Sequence, residues 1–105
     1  MFQDMRKSGW QYETVAAGQT TQALGATGAT GDYLDGVLVV PATTSPGAVQ
    51  IKDGAGTAIT VFTGGASSVS NLVPFYIPVG AVSGAGAWQI TTGSNVSAVG
   101  VGMFT

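Results

Sequence analysis

The sequence predicts an all-β protein, an antiparallel β-sandwich of jelly-roll-like form with seven to nine short strands. Three observations carry this expectation. Apolar residues come in short runs at strand spacing, rich in Val, Thr, Ile and aromatics. Helix formers are scarce: Leu occurs four times, and Glu and Lys together three times. Gly, Pro, Asn and Asp break the chain at intervals of about 8–12 residues, the rhythm of a sandwich or a related Greek-key form.

The elements follow in order. Trp10 to Ala17 is the first candidate strand, and Thr20 to Leu24 a second. Gly25, Gly28 and Gly31 then repeat every third residue. Two triplets without proline cannot hold a collagen helix, so this stretch reads as a flexible loop. Asp32 to Val40 is the strongest strand. Its run Leu34, Val37, Leu38, Val39, Val40 alternates little, as expected of a strand covered on both faces, and Pro41 ends it. Thr43 to Gly47 is a turn. Ala48 to Lys52 follows, with Val49 and Ile51 on one face and Gln50 and Lys52 on the other.

Asp53 and Gly54 open a hairpin connection to Ala58–Phe62. Gly64 to Ser70 is a polar loop. Asn71 to Val79 is extended but holds Pro74 and Pro78, which cannot donate ladder hydrogen bonds, so it belongs at a sheet edge or bends between sheets. Ala87 to Thr92 is a strand with Trp88 and Ile90 on one face, and Gly93 to Asn95 is a turn. In the last strand, Val96 to Phe104, Val99, Val101 and Met103 share one face. Gly100 and Gly102 leave a shallow notch on the other. Trp88 is the expected intrachain filler of that notch, and a neighbouring subunit is the alternative.

A chain of 105 residues suits one domain, expected over residues 10–105 behind an N-terminal arm of residues 1–9. With 45% hydrophobic residues and a net charge of −2, the composition is not that of a disordered chain. Charge is the informative feature. Three basic and five acidic residues make up 8% of the chain, against about 25% in ordinary soluble proteins. Between Ser8 and Thr105 the only cation is Lys52. A neutral surface of Thr, Ser, Gly, Gln and Ala is one reading. The other is a surface covered by protein, since interface cores are depleted of charge.

The same composition excludes much chemistry. Without His or Cys there is no Ser-His-Asp or Cys-His nucleophilic site and no usual zinc, copper or haem ligand set. Asp32, Asp35 and Asp53 are too few to build a typical calcium site, and read better as turn and cap residues. Five acids with no visible pair give no glycosidase signature, and no phosphate loop or nucleophile elbow is present. The expectation is a protein that is not an enzyme and needs no cofactor. Three basic residues argue against nucleic-acid binding. No apolar run approaches a membrane span, and Met1 to Trp10 lacks the apolar segment of a signal peptide. Trp10, Tyr33, Tyr76 and Trp88 are candidate sugar platforms, set against the simpler expectation that Tyr33 and Trp88 are core residues and Trp10 packs the N-terminal segment.

The N-terminal segment mixes large apolar groups with charge. It is either a frayed terminus or an arm that lays Phe2, Met5 and Trp10 on a neighbouring protein while Arg6 or Lys7 pairs with that neighbour's acids. These five residues are the candidate interface.

Three stretches carry a family resemblance: Gly31 to Gly54 (GDYLDGVLVVPATTSPGAVQIKDG), Asn71 to Phe75 (NLVPF) and Ala98 to Phe104 (AVGVGMF). Together they resemble the small β-sandwich capsid decoration, or cement, proteins of tailed bacteriophages. The resemblance implies a structural protein made in the host cytoplasm that sits on the outside of the virion head. It would act as a homotrimer and bind the lattice of major capsid protein. A head-fibre or tail module that grips a host glycan is the alternative.

Overall fold

A computed structural model describes residues 10–105 of the chain. Eight strands form there: β1 (Gln11–Val15), β2 (Gln22–Ala23), β3 (Tyr33–Pro41), β4 (Val49–Asp53), β5 (Ile59–Phe62), β6 (Phe75–Val82), β7 (Trp88–Thr92) and β8 (Val96–Met103). They make two four-stranded antiparallel sheets, one ordered β1-β8-β3-β6 and the other β2-β7-β4-β5. The pairs β1·β8, β2·β7, β3·β6 and β4·β5 are those of one long hairpin folded over on itself, the double Greek key of a jelly roll. The described residues thus form an all-β sandwich with the expected number of strands.

The core lies between the sheets. Val15, Leu34, Val37, Val39, Val96 and Ala98 point into it from the first sheet, and Val49, Ile51, Trp88 and Ile90 from the second. Leu24 and Phe104 fill it from the strand ends. The Trp88 ring nitrogen donates to the Asp32 carbonyl at 3.0 Å, so the largest core side chain buries no unsatisfied donor.

Several features of the strands have local causes. In β3 the register shifts between Leu34 and Gly36 against both neighbours. This bulge inserts one residue and reverses the phase, so Leu34, Val37 and Val39 all point inward although their numbers differ in parity. The weak alternation therefore reflects a bulge, and the expectation of cover on both faces is corrected. Among the described residues β3 is covered on its inner face only, with Leu38 and Val40 half-buried on the outer one. Pro78 sits in β6, an edge strand, where its missing N–H costs no central ladder bond.

The notch of β8 is filled from within the chain, but by other residues than expected. A Cβ at Gly100 would lie 2.8 Å from Leu24 Cδ1 and 3.2 Å from Ile90 Cδ1, so these side chains, and not Trp88, occupy the space. At Gly102 the β3 backbone around Tyr33 and Leu34 approaches too closely for any side chain.

The glycine-rich loop is tied down by hydrogen bonds. Gly25 N–H donates to Glu13 Oε1 at 2.7 Å, Thr27 and Gly28 N–H to the Thr105 oxygen at 2.8 and 3.0 Å, and Gly31 N–H to the Ser83 carbonyl at 2.8 Å. All three repeating glycines have positive φ, which the short period supplies at little steric cost.

Candidate functional site

The two sheets present different outer faces. On the second sheet the outward residues are Gln50 and Lys52 of β4, Thr60 of β5, and Gln89 and Thr91 of β7, an amide and hydroxyl surface carrying one cation. Gln50 Nε2 donates to Thr60 Oγ1 at 3.1 Å across the strand pair.

On the first sheet the outward residues are largely apolar. Register and burial place Tyr12 and Thr14 on β1, Ser97, Val99, Val101 and Met103 on β8, Leu38 and Val40 on β3, and Tyr76, Pro78 and Val82 on β6. Tyr12 is 74% exposed, Val82 60% and Met103 45%. Side chains of this kind on one four-stranded face form a continuous patch rather than the scattered apolar groups of an ordinary surface.

Asp35 is the one formal charge on that face among the described residues. It belongs to the β3 bulge, and its carboxylate is taken on both sides. Tyr33 OH donates to Oδ1 at 2.9 Å, and Tyr76 OH donates to Oδ2. Gly36 makes this arrangement fit, because a Cβ there would overlap the Tyr76 ring and the Ile77 carbonyl. The carboxylate holds the neighbouring phenols in their neutral form. Tyr33 titrates above its ordinary value, mainly because it donates to Asp35. Tyr76 is also raised, first by partial loss of water and then by the hydrogen bond to Asp35 and its charge.

Of the candidate interface residues, Phe2, Met5, Arg6 and Lys7 lie outside the described residues. Trp10 lies inside them. It is 57% exposed, and its ring stands 6.0 Å from that of Tyr33 at an interplanar angle of 55°, at the Tyr33–Met103 end of the apolar face. The expectation that Tyr33 is a core residue is corrected: it points outward and is half-buried beneath Trp10. Trp88 is buried in the core and cannot act as a platform.

The other aspartates organise loops. Asp32 is buried, and its carboxylate accepts from Thr105 N–H at 3.1 Å, from Thr105 Oγ1 at 3.1 Å and from Ala29 N–H. Asp53 accepts from Gly84 N–H at 2.9 Å and Ala85 N–H at 3.0 Å, joining two turns. Among the described residues no three His, Cys, Asp or Glu side chains come together as a metal site.

An open hollow of about 250 Å³ lies beside β1, lined by Gln11, Tyr12, Glu13, Gly25, Ala26, Phe104 and Thr105. Its polar groups are largely engaged: Glu13 accepts from Gln22 Nε2 and Gly25 N–H, and Gln11 Oε1 from Phe104 N–H at 2.7 Å. Little is left there to grip a small ligand. No protein-family model matches the chain, and no curated protein or solved structure matches it either.

Sequence reasoning missed the difference between the two faces and the Tyr33–Asp35–Tyr76 cluster. The one available signal was Gly36, a lone glycine inside an otherwise strong strand, which marks a bulge or a close approach.

Proposed function

We infer that this chain is a structural virion protein that attaches to the outside of an assembled phage capsid and stabilises it. It acts as a homo-oligomer and performs no catalysis. The observation that carries this reading is the apolar outer face of the β1-β8-β3-β6 sheet, whose only charge among the described residues is already hydrogen-bonded by its own tyrosines. A rigid jelly roll with such a face supplies contact area without reactive groups. A shell under internal pressure gains stability from any protein that binds only the assembled lattice. The amide and hydroxyl face of the other sheet suits neutral hydrogen bonds across a wet contact with the lattice.

The test is co-sedimentation of the full chain with shells assembled from the major capsid protein encoded in the same genome. Co-sedimentation with assembled shells but not with free capsid subunits, together with a raised melting temperature of the shells, supports the reading. Equal or absent binding to both overturns it.

A second reading draws on the exposed Trp10, Tyr12 and Tyr76, separate aromatic surfaces of the kind sugars stack on. A head-fibre or tail module of this type binds an immobilised glycan, loses that binding in Tyr76→Ala, and has no affinity for shells.

A further inference from the structure

We propose that the outer face of the β1-β8-β3-β6 sheet is a self-association surface, and that its occupant is a second copy of this chain packed through the same face. The proposal rests on the reading above and names the partner of that face.

Area is the first argument. The four strands, five to nine residues long and about 4.8 Å apart, outline roughly 500 Å² in projection. Covered on both copies, this is about 1,000 Å² in total, the lower bound for a specific interface between two proteins.

Charge is the second. A face meant for a basic partner would hold out an unpaired acid. Here both Asp35 oxygens already accept from Tyr33 and Tyr76 on the same face. The acid asks for no cation from a partner and can be covered at reduced desolvation cost. Such a face fits a surface that brings no cation, and the same face of a second copy brings none among the described residues. A two-fold contact needs a self-complementary patch of this sort.

Chemistry is the third. Aromatic residues and methionine are enriched at interface cores, and Tyr12, Tyr76 and Met103 stand out from this face. Apolar sheet faces of this kind stack about 10 Å apart. The opposite face, with Lys52 and its amides, remains free for a wet contact of another kind.

The experiment is sedimentation of the full chain from about 1 to 100 µM, a range set by mass action. Self-association that rises with concentration is expected. A single monomeric species throughout overturns the proposal. Val82→Glu with Met103→Glu places acids at two exposed positions of the face. The doubly substituted chain is expected to sediment as a monomer with an unchanged β circular-dichroism spectrum. Assembly that persists in it overturns the proposal, as does assembly lost instead in Thr91→Glu, on the opposite face.

Should the acidic variant fail to fold, Met103→Cys decides. The chain has no other thiol, so maleimide labelling reads one site. Labelling is expected to slow about tenfold or more as concentration rises through the association range. A constant rate overturns the proposal. Shell binding separates the two ideas. A monomer that binds shells overturns self-association and keeps the capsid-binding part of the proposed function, whereas an oligomer that ignores shells does the reverse.

Discussion

Tyr33 and Tyr76 share the carboxylate of Asp35, and their raised pKa values have a consequence for stability. A phenol whose folded pKa lies above its unfolded value of about 10 stabilises the fold fully below pH 10. That contribution is lost as pH climbs from about 10 through the raised folded values, because tyrosinate beside Asp35 is repelled and loses its donor proton. Thermal melts between neutral pH and about pH 12 should show a steeper alkaline loss in the wild type than in the Tyr33→Phe, Tyr76→Phe double variant. Asp35→Asn should move both phenol titrations back toward their ordinary value, read by ultraviolet absorbance of tyrosinate. Gly36→Ala forces the Tyr76 ring and the Ile77 carbonyl away from β3, at a cost of about 1–3 kcal/mol in urea unfolding. Little of this was legible beforehand. Asp35 and Gly36 are adjacent in sequence, but Tyr76 lies 41 residues from Asp35 and meets it only through the β3·β6 register.

At the scale of elements the sequence was far more legible. Each of the eight strands overlaps a predicted one, because β-branched runs between glycine and proline signals are a local property. The edge position of β6 is one of the two placements that Pro74 and Pro78 allowed, a sheet edge or a bend between sheets. What failed was pairing between distant elements. The notch at Gly100 was visible, but its fillers, Leu24 and Ile90, come from the neighbourhood of two strands whose positions depend on topology. Leu24 is fully buried, so Leu24→Ala should cost about 2–5 kcal/mol in urea unfolding. Gly100→Ala should destabilise the wild type, where the added methyl meets Leu24 Cδ1 at 2.8 Å, yet cost less in the Leu24→Ala background. A double-mutant cycle measures that coupling, and full additivity would show that Leu24 does not fill the notch.

At the scale of the molecule, composition revealed that charge is missing but not where. A strand places alternate residues on opposite faces, so the split between faces depends on register and on the phase reversal at the β3 bulge. With both known, the scarcity of charge resolves into an apolar face and a hydroxyl- and amide-rich face bearing Lys52. This asymmetry yields the last prediction. Association driven by apolar burial, with the face's one acid among the described residues already hydrogen-bonded, should respond little to ionic strength. Sedimentation of the full chain should give the same assembly between about 0.05 and 1 M NaCl, a range over which the screening length falls severalfold. Weakening across that range would mean that charges carry the contact, and would direct attention to Arg6 and Lys7 in the N-terminal segment. Cooling gives an independent check, since apolar stabilisation fades at low temperature. An assembly held by this face should loosen on cooling, whereas one held mainly by hydrogen bonds and charge pairs should tighten.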